Sequence, residues 1–160
     1  MKKQSVFYGI ILIGIGLLFL AETWQIALTE WWLEWPTILL IIGIAFLMTA
    51  IRGRLPIAFL PGVLFLLFGV QLHFVNLIPG WPNHLGMYAL ILGASLFLDY
   101  IKNRSSGWFS GLLLILTGVL YFFETRLYQL SEAAIMSSIP RFAPFVLLAA
   151  GLYFLFVKKH

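Results

Sequence analysis

An all-α integral membrane protein, with six transmembrane helices arranged as three parallel-repeat helical hairpins, is what these 160 residues predict. Three observations carry the prediction. The chain is 62% hydrophobic and 17% aromatic with only 10% charged residues, too little polar surface to cover a water-soluble domain. Its apolar residues fall into six separate runs, and a glycine or proline recurs seven residues apart at matching places along the chain.

The runs are 6–21, 37–51, 57–70, 85–98, 108–123 and 142–157. Each holds 14 to 16 residues, whereas a spanning helix needs roughly 20 at 1.5 Å each. Apolar and aromatic flanks, among them Trp24, Trp35, Leu55, Leu72, Phe74, Tyr100 and Tyr128, therefore complete short spans. Lys2 and Lys3 ahead of an apolar run also fit a secretory signal, but Phe19 stands where a cleavage site needs a small residue. The first run is expected to be a retained helix.

The repeat covers nearly the whole chain. The first helix of each pair reads "GIILIGIG" (Gly9, Gly16), "GVLFLLFG" (Gly62, Gly69) and "GLLLILTG" (Gly111, Gly118). The second reads "PTILLIIG" (Pro36, Gly43), "GMYALILG" (Gly86, Gly93) and "PFVLLAAG" (Pro144, Gly151). Seven residues are nearly two helical turns, so each pair makes a shallow stripe that another backbone can approach. Helix packing is the expected role of these glycines. The units run approximately 5–54, 55–104 and 105–160 within one membrane domain.

Basic residues follow each second helix: Arg52 and Arg54, Lys102 and Arg104, Lys158 and Lys159. With Lys2 and Lys3 these are eight of the ten cations. The loops inside the pairs hold Arg126 and Arg141 with Glu22, Glu30, Glu34, Glu124 and Glu132. Cations stay on the cytoplasmic side during insertion, which places both termini and both inter-hairpin linkers in the cytoplasm. All three hairpins then share one orientation, unlike the inverted repeats of many secondary transporters, and either a pseudo-threefold or a linear arrangement satisfies the pattern.

A hairpin of the form "GIILIGIGLLFL" followed by "WPTILLIIGIAFL" resembles the LiaI/LiaF-like transmembrane region of bacterial envelope-stress proteins, best over residues 8–54. The second and third hairpins follow the outline more loosely, and the third has "IPRFAP" in place of "WP". The resemblance implies a multi-pass protein of the bacterial plasma membrane that acts through partners rather than by catalysis. Members are associated with sensing envelope damage, restraining a two-component sensor, or anchoring a PspA-like membrane-repair protein. This sequence ends two residues after Lys158, without the soluble C-terminal domain of LiaF-like members, which speaks against the sensor-restraining role.

The sharpest polar feature is a repeat position. Glu22 and Glu124 each stand six residues past a stripe glycine, with Asn76 beside the equivalent place in the middle unit. Converged on a repeat axis, these three would make a proton or cation site near the outer face; placed at the span boundary, they are simply hydrated. Trp24, Glu30, Trp31, Glu34 and Trp35 form a second candidate. Trp24, Leu28, Trp31 and Trp35 share one helical stripe, as in an interfacial belt with indoles at headgroup depth, and the acids leave room for a cationic partner. His73 and His84 bracket the middle loop without the third ligand a zinc site needs, so interfacial hydrogen bonding is expected of them. Asp99 and Lys102 are expected to form a solvated ion pair, and Thr49, Ser95, Ser110 and Thr117 to satisfy their hydroxyls within their own helices.

There is no cysteine, no paired acid within a span and no nucleophile, base and orienter set, so catalysis, a metal centre and a cofactor are not expected. The formal charge of +4 sits beside apolar runs, where topology rather than nucleic acid explains it. The expected partners are the lipid bilayer and a membrane or cytoplasmic protein, with a homo-oligomer compatible. The expected function is a non-catalytic scaffold or regulator in the envelope-stress response. The alternative is a small transporter or channel subunit for a neutral or lipid-like solute, and an enzyme acting on lipid through Glu22 or Glu124 ranks third.

Overall fold

The computed structural model describes residues 2–24 and 34–128, together with Phe145 and Leu148. It consists of α1 (Lys2–Thr23), α2 (Pro36–Ile51), α3 (Phe59–Leu77, led in by a 3-10 turn at Pro56–Ala58), α4 (Leu85–Asn103) and α5 (Trp108–Tyr128). Among the described residues there is no strand. The sixth apolar run lies outside them except for Phe145 and Leu148, which are helical.

Among the described residues, three stretches are long and apolar enough to cross a bilayer: Ser5–Thr23, Pro56–Leu77 and Leu85–Asn103, of 19, 22 and 19 residues. Pro36–Ile51 and Trp108–Phe123 are shorter apolar helices. At 1.5 Å per residue, α2 rises only about 24 Å against about 30 Å of hydrocarbon. Its start is sharp because Pro36 occupies the first turn, where a missing N–H breaks no helical bond.

The interior is built from small residues and the exterior from large ones. Gly43, Ala45, Thr49, Ala50, Ala58, Val63, Gly69, Gly86, Ile91, Gly93 and Ser95 are buried, whereas Leu12, Ile13, Phe19, Ile57, Leu116 and Phe123 stand exposed. A water-soluble domain inverts this order. In lipid it is the stable arrangement, since tails solvate large apolar side chains and small residues let helices approach. The chain is a membrane protein.

The glycine stripes explain which helices approach. A Cβ built on Gly43 would lie 2.6 Å from the backbone nitrogen of Leu66 and 3.1 Å from the carbonyl oxygen of Gly62. On Gly69 it would meet Leu40 at 2.7 Å. The same geometry recurs between α4 and α5, where Gly93 faces the Gly111 carbonyl at 2.8 Å and Gly118 faces the Gly86 carbonyl at 2.7 Å. Stepping seven residues forward along α4 matches seven back along α5, which is the register of an antiparallel glycine-on-glycine contact. These close contacts run from α2 to α3 and from α4 to α5, across the unit boundaries drawn by the sequence repeat. The linkers decide this: only four residues separate α2 from the turn at Pro56, and four separate α4 from α5, so those helices have to descend side by side.

Helix α1 departs from the expected packing. A Cβ on Gly9 or Gly16 meets nothing within 4 Å, whereas one on Gly14 lies 2.5 Å from Ile41 of α2. Gly14 is two residues from Gly16, about 200° around the helix, so α1 leans on α2 through the face opposite its stripe. Rings extend that contact, with Phe7 and Phe46 at 4.7 Å and Phe46 stacked on Phe65 at 6.0 Å.

The hydroxyls within the spans bond backward along their own helices: Thr49 to Ala45, Ser95 to Ile91 and Thr117 to Leu113, at 2.7 to 2.8 Å. Asp99 and Lys102 do not pair with each other. The Asn103 amide donates to Asp99 at 2.7 Å, and Lys102 Nζ lies 4.3 Å from the centroid of the Phe59 ring. A carboxylate only 9% exposed gains more from a donor one turn away on its own helix than from an ammonium that reaches out over an aromatic face.

Candidate functional site

Polar side chains gather at the loop end of α2 and α3. Glu34 stands two residues ahead of α2, its carbonyl accepting the Thr37 N–H at 3.0 Å, and Thr37 lies in the first turn. His73 and Asn76 are three apart on one face in the last turns of α3, and the antiparallel register sets them against Glu34 and Thr37. Thr37 Oγ1 and His73 Nε2 are hydrogen-bonded at 3.0 Å, and the Asn76 amide donates to Glu34 Oε2. Glu34, His73, Asn76 and Leu77 line a cleft of about 210 Å³. Thr37 is 6% exposed and Asn76 is exposed, so the group grades from the helix interface outward to the interfacial layer.

One turn deeper, Gln71 is 4% exposed within an otherwise apolar stretch. Such an amide is costly unless every group finds a partner. The loop after α3 supplies them: Gln71 Nε2 donates to the Pro82 carbonyl at 2.8 Å, and Trp81 Nε1 donates to Gln71 Oε1 at 2.9 Å. Gly80, with φ of 83°, turns the chain so that Trp81 folds back, and its ring lies 4.8 Å from Phe74. These bonds carry α3 seven residues past the end of its apolar run.

His84 is different in kind. Its Nδ1 is buried without a hydrogen-bond partner, and its ring lies 5.4 Å from Tyr121 and 5.8 Å from Phe122 of α5. It fills the gap above Gly86, where a Cβ would come within 3.0 Å of Nδ1. Of the two histidines that bracket the loop, His73 thus serves as a hydrogen-bonding group and His84 Nδ1 as packing.

The repeat-position candidates are arranged as follows. Glu22 is exposed at the end of α1, Asn76 is engaged by Glu34, and Glu124 lies in the last turns of α5 with its side chain outside the described residues. Of the belt candidates, Trp24 and Trp35 are 68% and 60% exposed, while Glu30 and Trp31 lie outside the described residues, as does Gly151. The sequence treated Glu34 as part of an acidic surface and Asn76 as part of an axis; the structure brings the two together. Thr37 and Gln71 were not singled out. Their signal was a polar side chain in a stretch otherwise apolar enough to span, which demands a partner.

Chemically, the cleft offers a carboxylate, an imidazole and an amide at the edge of the apolar layer, a set that hydrogen-bonds polar groups of headgroups or of another chain. Comparison with known proteins agrees with the membrane assignment. An uncharacterized membrane protein, YsxD, of Bacillus subtilis (strain 168) is 25% identical over 162 residues, covering 99% of this chain and 97% of that protein. No solved structure gives a significant match. Residues 6–47, which hold most of α1 and of α2, match the family described as the LiaI-LiaF-like transmembrane region.

Proposed function

We propose that this chain is a non-catalytic, multi-pass scaffold or regulator of the bacterial plasma membrane that acts through partner proteins in the envelope-stress response. The match of residues 6–47 to the LiaI-LiaF-like transmembrane region is the observation that carries the proposal. The form of the molecule supports it: the short linkers carry exposed Arg52, Arg54, Lys102 and Arg104, and the opposite end carries the Glu34 cleft with Trp24, Trp35 and Trp81. By the distribution of cations the linkers face the cytoplasm, where a partner meets them.

Six spans in three hairpins complete this proposal. The stripe of α1 (Gly9, Gly16) and the stripe of the sixth run (Pro144, Gly151) repeat the spacing that joins α2 to α3 and α4 to α5. Leu12 and Leu148 are 71% and 64% exposed, and among the described residues nothing lies within 4 Å of a Cβ built on Gly9 or Gly16. We assign the two stripes to each other as a third antiparallel pair. The chain is free of cysteine, so the pair Gly16→Cys and Leu148→Cys, equivalent to Gly69 against Leu40, should cross-link within one chain. Gly9→Cys with Leu148→Cys should not, because two turns separate residues 9 and 16 and a disulfide spans less than about 7 Å between Cα atoms.

Purification from native membranes in mild detergent, paired with reconstitution into liposomes, tests the function. A defined partner retained at fixed stoichiometry, with no solute uptake by the reconstituted chain, is the expected result. A lone protein that moves a neutral solute into liposomes would replace the scaffold with a transporter.

A further inference from the structure

We infer that the linker end of α2, α3, α4 and α5 is a binding site for an anionic phospholipid, whose phosphodiester is held by Arg54 and Arg104 with Arg52 and Lys102 beside them. The two linkers are neighbours in space. The Asn103 amide reaches the Pro56 carbonyl at 3.0 Å, and Lys102 Nζ sits over Phe59 at the start of α3. All four cations are exposed. The one acidic residue on these segments, Asp99, is 9% exposed and engaged by Asn103, so the surface charge is uncompensated.

A second observation is independent of charge. Arg54 and Arg104 have φ of 50° and 53°, the only described non-glycine residues in the left-handed region. Arg104 is the C-cap of α4, a place where glycine is favoured because a Cβ is strained there. The helix dipole accounts for a cation anywhere in the last turn, and α4 already has Lys102 there. It does not account for arginine at the glycine-favoured residue in two linkers of otherwise different sequence. Strained backbone of this kind gathers where a side chain serves a ligand. A guanidinium matches phosphate with two parallel hydrogen bonds, which an ammonium cannot do.

The surroundings select a lipid over a free anion. Ile57 is 81% exposed, and Ile101 and Trp108 are exposed alongside, so the cations rim an apolar surface that fits acyl chains. This inference needs neither the partner nor the orientation proposed above.

Native mass spectrometry of the full chain, titrated with phosphatidylglycerol and phosphatidylcholine of matched acyl chains, tests it. The wild type should retain phosphatidylglycerol preferentially, and millimolar inorganic phosphate should not displace it. The double variant R54G/R104G suits the backbone at both sites, so its thermal unfolding should be unchanged or higher. Its phosphatidylglycerol affinity should fall about 30-fold, from about 1 kcal/mol for each basic residue at an anionic surface. R54K/R104K keeps the charge but loses the paired hydrogen bonds, so its affinity should fall between those of wild type and the glycine variant; if the glycine variant does not fold, R54Q/R104Q replaces it. Equal retention of the two lipids by wild type, undiminished binding by the glycine variant, equal loss in the lysine and glycine variants, or displacement by inorganic phosphate would each overturn the inference.

Discussion

Replacing Gly93 with alanine isolates the contact that orders this fold. A Cβ there lies 2.8 Å from the Gly111 carbonyl oxygen, 2.8 Å from the Ile115 nitrogen and 2.9 Å from Ile115 Cγ1. Two of the three are backbone atoms, which cannot rotate away. Bringing them to an ordinary separation of about 3.5 Å moves the helices apart by roughly 0.7 Å, and a gap of that size forfeits a quarter to a half of each dispersion contact nearby. Overpacking of this kind costs about 1–3 kcal/mol. Alanine also gains about 0.8–1.0 kcal/mol over glycine in a helix. The expected net effect is a loss of about 0–2 kcal/mol for Gly93→Ala, and a larger one for Gly93→Val, whose branched side chain meets the same backbone without alanine's helix-propensity gain. Reversible unfolding in mixed micelles of mild detergent and dodecyl sulfate, followed by circular dichroism, measures it. A Gly93→Ala protein more stable than wild type by the full helix-propensity gain of about 1 kcal/mol would refute the glycine-on-glycine contact.

The other predictions concern single features. Gly16→Ala should destabilise the chain if the sixth run covers the α1 stripe; a gain of about 1 kcal/mol, the bare helix propensity, would mean the stripe faces lipid. Gln71→Leu should lose about 1–3 kcal/mol because it strands the Trp81 indole N–H and the Pro82 carbonyl, and it should speed amide exchange in residues 78–84. An unchanged exchange pattern would remove Gln71 as the anchor of that loop. Ser95→Ala should change stability by less than about 1 kcal/mol, because its hydroxyl bonds only to its own helix at Ile91 and leaves no partner stranded.

Composition alone made the membrane assignment legible, and run boundaries placed five helices to within a few residues at most ends. The heptad glycines also marked contact faces, at Gly43, Gly62, Gly69, Gly86, Gly93, Gly111 and Gly118. What spacing could not supply was the choice of partner helix. A stripe says that a backbone comes close, while linker length says which one, and the four-residue linkers favour α2 with α3 and α4 with α5. The α1 contact through Gly14 was hidden for the same reason, since the stripe and the opposite face are both apolar. At the polar cluster, the residue types were visible but their partners were not: Asn76 could belong to an axis or to Glu34 until the antiparallel register set them face to face. Asp99 shows the limit of local spacing, because Lys102 and Asn103 are both within reach on one helix and burial decided for the amide.

A cytoplasmic partner surface on the linkers is the central claim, and single cysteines in this cysteine-free chain test it most directly. Ser106→Cys lies on the linker between α4 and α5, and Pro79→Cys on the loop between α3 and α4, both at exposed positions. With a membrane-impermeant maleimide on intact cells, Pro79→Cys should label at once and Ser106→Cys only after permeabilisation. Labelling of Ser106→Cys from outside, or of both positions from one side, would contradict the topology and with it the cytoplasmic partner surface.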